Sequence, residues 1–268
     1  MKKILTGKII EHVEIASDVF KLQIQVDFED VKAGQFVNIY LDDKSMLLPR
    51  PISICMADKD SITIVYRIAG KGTTELSTYA VGTVIRVSTP LGNGYFIDGT
   101  ALGGKTETYA DRKVAVVGGG IGVPPMVLLA KKLKEKGALV TAVVGFQAEP
   151  FLIEELKLYC EKIYVATDNG SVGFHGNAVQ LIQKEAIEAD EFFSCGPKVM
   201  LKALSKLCTE KAIPCQVSLE ERMGCGYGAC VGCTCKIKVQ TENGVEIQQK
   251  GVCKHGPVFF GEEVAWDE

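Results

Sequence analysis

At Lys113 the hydrophobic rhythm of the chain changes, and that change limits the possible folds more than any other feature of the sequence. Before it, GKIIEHVEI, VFKLQIQV, QFVNIYL, SITIVYRI and TVIRVSTP are short runs, several alternating apolar with polar residues. Turn residues separate them at roughly ten- to fifteen-residue intervals, the pattern of an antiparallel barrel or sandwich. A further strand begins within LLPRPISICMA, and TPLGNGYF marks the exit. After Lys113, KVAVVGG reads as a buried strand and PPMVLLAKKLKEKG as a helix with lysines near its end and Gly137 as its stop. LVTAVVGF, IYVATD and EFFSCG continue as strands, while PFLIEELKLYCEK, NAVQLIQKEAI and PKVMLKALSKLCTEKA continue as helices. Strand and helix in alternation imply a parallel sheet wrapped on both faces.

A third piece follows from about residue 216, and it holds GCGYGACVGCTC. Cys225, Cys230 and Cys233 are spaced C-x4-C-x2-C, and Cys253 follows nineteen residues later. This is the plant-type ferredoxin spacing for a [2Fe-2S] cluster, whose two irons need four thiolates from a tightly wrapped loop. Gly224, Gly226, Gly228 and Gly232 give such a loop its freedom. Cys235 is a neighbour that could replace Cys233 only with poorer spacing. A structural zinc site and unliganded thiols are the alternatives, although zinc favours paired C-x2-C knuckles and only one is present. The other five cysteines, Cys55, Cys160, Cys195, Cys208 and Cys215, are dispersed and read mainly as core residues.

Net charge is −3 with scattered lysines, which gives no reason to expect nucleic acid binding. MKKILTGKIIEH is not a signal peptide, and no apolar run approaches membrane-helix length. The expectation is a cytoplasmic protein whose clustered thiols bind metal rather than form disulfides.

Two stretches of the N-terminal part have the chemistry to hold FAD. Arg50 presents a planar fork to a pyrophosphate, and Ser53 a hydroxyl to a flavin ring nitrogen. YRIAGKGTTELSTY joins a strand to a short helix through Gly70 and Gly72, with Thr73 and Thr74 at its start, as a phosphate cradle. An ordinary strand start and a capped hairpin loop are the alternatives. In the central part, VAVVGGGIGVPP places Gly120 and Gly122 in a strand-turn-helix; Val123, Pro124 and Pro125 replace the usual third glycine. ATDNGSVGFHG, with Asp168, and SCGP, with Cys195, Gly196 and Pro197, follow other strands at their carboxyl ends, where such sheets bind ligands. Cys195 could be a small buried side chain or a residue beside the nicotinamide; its chemistry leaves the two even and its position at the strand end favours the second. GFQAEP offers no arginine for a 2′-phosphate, so NAD is favoured over NADP.

All three parts line up with one known order. The chain resembles the ferredoxin reductase superfamily, and within it the electron transfer subunits of class 1B dihydroorotate dehydrogenase. RPIS (Arg50, Pro51, Ile52, Ser53) and YRIAGKGTT (Arg67, Ile68, Ala69, Gly72, Thr73, Thr74) match the family's flavin segments. GGGIGVPP, with Gly119, and CGP match its nicotinamide segments; ERMGCGYGACVGC and GVCKHGPVF match its cluster. His255, where the family usually has aspartate, and the extra Cys235 are departures. The resemblance implies a multidomain β plus α/β fold: an antiparallel FAD-binding β-barrel (1–98), a doubly wound NAD-binding α/β domain (99–215) and a small [2Fe-2S] domain (216–268). It implies a partner carrying FMN, in a heterotetramer of two copies each, with dihydroorotate oxidised on the partner during pyrimidine (UMP) biosynthesis. Only His12, His175 and His255 are present and no general-base constellation is evident, so substrate chemistry is expected elsewhere. A bifurcating transhydrogenase or sulfhydrogenase subunit, a stand-alone NADH reductase and a zinc-binding module are the competing readings.

Overall fold

The computed structural model describes residues 2–28, 30–43, 45–98, 108–242 and 244–267, so the expected second domain begins, at 99–107, outside the described residues. The first six strands are β1 (Ile4–Ala16), β2 (Val19–Gln25), β3 (Phe36–Tyr40), β4 (Arg50–Ala57), β5 (Ser61–Arg67) and β6 (Val84–Ser88), with helix α1 (Lys71–Ser77) after β5. They form a closed barrel in the order β1-β2-β5-β4-β3-β6. Alternation along the strands explains the closure. Leu22, Ile24, Ile62, Ile64, Ile85 and Val87 point inward and are buried, while Lys21, Thr63 and Arg86 between them do not. β6 completes the ring by pairing antiparallel with both β1 and β3, which leaves no open edge.

The second rhythm produces β7 (Lys113–Gly119), α2 (Pro124–Glu135), β8 (Leu139–Phe146), α3 (Ile153–Lys157), β9 (Lys162–Thr167), β10 (Phe174–His175), α4 (Ala178–Lys184), β11 (Glu191–Cys195), α5 (Lys198–Glu210) and β12 (Cys215–Ser218). These strands lie parallel in the order β10-β9-β8-β7-β11-β12. On β7, Val114 and Val116 enter one core with the barrel interior and α2, while Ala115 and Val117 enter another with α4 and α5. That division on one strand is what wrapping on both faces requires. Gly137, at φ 85°, ends α2 in the left-handed conformation, as its position after the lysines predicts.

The rest of the chain forms the hairpin β13 (Thr234–Thr241) and β14 (Gly244–Gly251), the turn-like α6 (Val252–His255) and β15 (Val258–Phe260). β15 returns to the large sheet and pairs antiparallel with β12. The sheet is therefore completed by the C-terminal part, and the expected boundary at 215/216 lies within β12. Two elements differ from expectation. The helix expected over PFLIEELKLYCEK is only Ile153–Lys157: Leu152 turns left-handed at φ 61° just before it, and the chain enters β9 at Lys162 soon after it. The loop after β9 contains β10, paired with Ala166 and Thr167.

The barrel exit joins all three parts. Tyr95 donates its hydroxyl to the Ser194 carbonyl (2.8 Å), and Phe96 exchanges two hydrogen bonds with the Gln216 side chain (2.9 Å each). Asn93 donates Nδ2 to the carbonyls of His255 (3.1 Å) and Val258 (2.9 Å) and accepts from the Val258 N–H (3.2 Å). Asn93→Ala deletes three of these links, two of them partly buried, and at ~1 kcal/mol for each partly buried bond the protein is expected to lose about 2 kcal/mol of unfolding free energy. Urea denaturation followed by tryptophan fluorescence checks this, since Trp266 lies in the C-terminal part.

Candidate functional site

The two candidate flavin segments meet through a side chain and a missing one. Arg50, the first residue of β4, donates Nη1 to the Leu48 carbonyl (2.5 Å), and its guanidinium lies over Gly72 in α1. Any Cβ at Gly72 would overlap that guanidinium, so only glycine leaves it in place. Thr73 accepts the Ala69 and Gly70 N–H groups on Oγ1 (2.8 and 3.2 Å) and hydrogen-bonds to the Gly70 carbonyl, so its hydroxyl shapes the turn. Thr74 likewise reaches the Gly70 carbonyl (3.2 Å). The Ile68 N–H is taken by the Asp18 carbonyl (2.9 Å). Ser53 faces Phe36 across the β3–β4 ladder, with Pro51 and Ile52 beside it.

The nicotinamide segments are pressed together at the carboxyl edge of the sheet. Gly122 stands against the Cys195 carbonyl, where a Cβ would collide with main chain. A Cβ on Gly119 would lie 2.8 Å from both Met200 Sδ and Pro197 Cδ, and one on Gly196 would lie 3.0 Å from the Gly119 nitrogen. Pro124 opens α2 in its first turn. Arg67, leaving the barrel on β5, brings Nη2 to 3.9 Å from the Cβ position of Gly120. The flavin and nicotinamide segments are thus neighbours in space. Asp168 is exposed at the end of β9, separated from the glycine turn by β8, and its N–H bonds the Phe146 carbonyl (3.0 Å). Burial pushes the Cys195 thiol up to about 12, so it is protonated at neutral pH and is no nucleophile.

The four spaced cysteines fall into two pairs. Cys225 and Cys230 interact through their side chains, as do Cys233 and Cys253, and Cys225 is close enough to Cys253 to influence its charge. Among the described residues, no three His, Cys, Asp or Glu side chains converge as on a single ion. Two pairs match the two irons of a [2Fe-2S] cluster, each held by two protein thiolates. The backbone is aimed at sulfur. Ala229 and Cys230 direct N–H groups to Cys225 Sγ (3.3 and 3.4 Å), and Cys253 directs its own to Cys233 Sγ (3.4 Å). Gly226 and Gly228 have φ of 77° and 88°, which lets the loop turn in this way.

Burial opposes ionisation of Cys225, but the N–H groups of Tyr227, Cys230 and Ala229 and the Cys230 thiol bring it down to about 6. Burial and the adjacent Cys233 thiol raise Cys253 to about 12, so a metal would have to displace its proton. Cys235 stands apart on β13 and donates to the Lys250 carbonyl (3.5 Å). Asn38, unremarked in the sequence, is fully buried on β3 and donates Nδ2 to the Cys225 carbonyl (2.9 Å).

A barrel with Arg50 at a strand start, joined to a doubly wound sheet that has a glycine turn at its carboxyl edge, defines a ferredoxin reductase-like oxidoreductase fold; the C-terminal piece adds an iron–sulfur domain. Solved structures agree. The NADH-dependent reduced ferredoxin-NADP oxidoreductase, described in connection with flavin-based electron bifurcation, superposes with a TM-score of 0.83 at 31% identity, covering 97% of this chain and 90% of that one. The ferredoxin reductase of carbazole 1,9a-dioxygenase shares the fold at a TM-score of 0.66 and 18% identity, over 80% of this chain and 67% of its own. Residues 220–265 match the iron–sulfur cluster binding domain of dihydroorotate dehydrogenase B.

Two curated relatives are the dihydroorotate dehydrogenase B (NAD(+)) electron transfer subunits of Geobacillus sp. (strain WCH70) and Caldanaerobacter subterraneus subsp. tengcongensis. The first is 40% identical over 96% of both chains, the second 36% identical over 97% of this chain and 98% of its own. This chain belongs to the family of dihydroorotate dehydrogenase B electron transfer subunits.

Gly72 and Gly70 offer a paired test of the flavin segment. Gly72→Ala is expected to displace Arg50 and to lower the FAD-to-protein ratio after purification. Gly70→Ala is expected to leave the ratio unchanged, because a Cβ there meets nothing within 4 Å and φ of 166° is ordinary extended backbone. Absorbance of the released flavin measures both.

Proposed function

We propose that this chain is the electron transfer subunit of an NAD-linked dihydroorotate dehydrogenase, passing electrons from an FMN-containing catalytic subunit to NAD in pyrimidine biosynthesis. The pairing of Cys225 with Cys230 and of Cys233 with Cys253, in which one cysteine's N–H is directed at the other's sulfur at 3.4 Å, carries the reading beneath a reductase fold. When bound, FAD supplies the chemistry that links two-electron hydride exchange with NAD to one-electron exchange with a [2Fe-2S] cluster. The chain's own residues do the holding.

Arg50, Pro51, Ile52 and Ser53, with Arg67, Ile68, Ala69, Gly72, Thr73 and Thr74, are the residues assigned to FAD. The Arg50 guanidinium complements a pyrophosphate there. Gly119, Gly120, Gly122, Pro124, Asp168, Cys195, Gly196 and Pro197 are assigned to NAD, and the bare glycine backbone lets the dinucleotide approach closely. The protonated Cys195 serves as packing at that turn.

Among the described residues no acid–base constellation accompanies the site, which supports a separate subunit for dihydroorotate oxidation. Two copies of each chain are the assembly we favour. The cluster loop supports docking at its rim, because Tyr227 and Val231 are exposed apolar side chains, Val231 by 70%. Val231 also sits left-handed at φ 57°, a costly conformation for a β-branched residue and one that folding alone would assign to glycine. Among the described residues, no helix is long and apolar enough to cross a membrane.

The likeness to the NADH-dependent reduced ferredoxin-NADP oxidoreductase favours one second reading, a subunit of a bifurcating transhydrogenase. Reconstitution separates them: dihydroorotate-dependent NAD reduction on adding the co-purifying flavoprotein supports the first, and ferredoxin-linked NADP reduction alone the second.

Anaerobically purified protein is expected to show flavin bands and a broad long-wavelength shoulder, both bleached by NADH. Cys225→Ser is expected to keep the flavin bands and lose the shoulder and the iron. A colourless protein with stoichiometric zinc would sink the reading. Val231→Gly is expected to raise unfolding stability by about 1 kcal/mol through relief of the left-handed strain. The same change is expected to weaken binding to the catalytic subunit, measured by titration calorimetry.

A further inference from the structure

A buried asparagine in the middle of a barrel strand is costly unless its amide is used. Asn38 lies in Phe36–Tyr40, where Val37 and Ile39 face the barrel interior and Asn38 faces the other side, buried under the cluster loop. Its Nδ2 donates to the carbonyl of Cys225 at 2.9 Å, across 187 residues of sequence. Its Oδ1 is buried and has no donor among the described residues, so the side chain is oriented by the Cys225 bond. The Asn38 N–H donates to Ser88 Oγ (2.9 Å), which anchors the strand from the other side.

The loop is shaped to receive the amide. Gly226, at φ 77°, approaches so closely that a Cβ there would lie 2.6 Å from Asn38 Nδ2 and 2.8 Å from Oδ1. Across the ladder, Asn38 pairs with Pro51, Val37 with Ile52 and Phe36 with Ser53. One residue thus touches the first cysteine of the cluster loop and stands opposite the segment assigned to FAD.

We infer that Asn38 is a positioning residue that holds the Cys225 side of the cluster loop against the flavin strand, and so sets how readily electrons pass between the two sites. The inference rests on the proposed cofactor assignment. Asn38 itself touches neither set of reacting atoms by this account; it acts through the Cys225 carbonyl.

The test compares full-length wild-type protein with Asn38→Leu and Asn38→Asp. Leucine fills the site without a donor; aspartate keeps the shape but opposes an acceptor to the Cys225 carbonyl. Iron and FAD content are measured first. Rapid mixing with NADH then follows the flavin bands and the long-wavelength shoulder separately. The electron paramagnetic resonance spectrum of dithionite-reduced protein and hydrogen exchange over residues 224–233 provide readouts that need no turnover.

Both variants are expected to bleach flavin at the wild-type rate and the shoulder several-fold more slowly, with an altered resonance spectrum and faster exchange in the loop. Unchanged shoulder kinetics, spectrum and exchange in either folded variant would overturn the inference. So would equal slowing of both phases, which would mark a general structural role. If leucine prevents folding, the aspartate variant decides alone. If the wild-type shoulder ignores NADH, the proposed function fails, while the dithionite spectrum and the exchange still decide the role of Asn38.

Discussion

The burial of the first two turns of α2 on every side is the constraint on which the arrangement of the site depends. From Pro124 to Ala130 no residue of this helix faces solvent, because it lies between the parallel sheet and barrel strand β4. A helix apolar all round must be enclosed. Enclosing this one makes the barrel interior and one face of the sheet a continuous core. That packing brings Arg67 over Gly120 and the flavin segment beside the nicotinamide segment. It also fixes β4 as the strand shared by helix and cofactor segment, so movement of either would disturb both.

The cluster piece is held differently, by polar bonds and one added strand. β15 takes the free edge of β12, and Asn93, Gln216 and Asn38 tie the loop's surroundings to the barrel and its exit. Gln216 also donates to Glu191 (2.8 Å), a buried carboxylate that accepts the Tyr109 hydroxyl (2.9 Å). Buried polar groups of this kind are stable only when paired, so these contacts specify position as well as contribute energy. The result is a graded site. Cys233 and Cys253 lie in the core at 2% and 1% exposure, while Cys230 and Val231 face outward. One pair of thiols therefore faces the protein interior and the other lies toward the surface.

Much of this was legible in the residues. Period-two alternation before Lys113 and strand–helix alternation after it specify barrel and parallel sheet, because each pattern buries its apolar face in only one architecture. The cysteine spacing was equally readable, since ligand geometry restricts it. Local signals failed in two places. PFLIEELKLYCEK has helical composition, yet Leu152 is left-handed at φ 61° and only Ile153–Lys157 is helical. The Asn in QFVNIYL went unremarked as one polar position of a strand, because the partner that explains it lies 187 residues away.

The sequence by itself determined the two main architectures and the spacing of the four cysteines, because periodicity and ligand spacing are local properties. Only the tertiary structure decided that Gly72 must yield to Arg50, that Gly122 must yield to the Cys195 carbonyl, and that β15 completes the large sheet. Those are close approaches between segments far apart in the chain, and no local pattern encodes a contact whose partner is set by how the whole core packs.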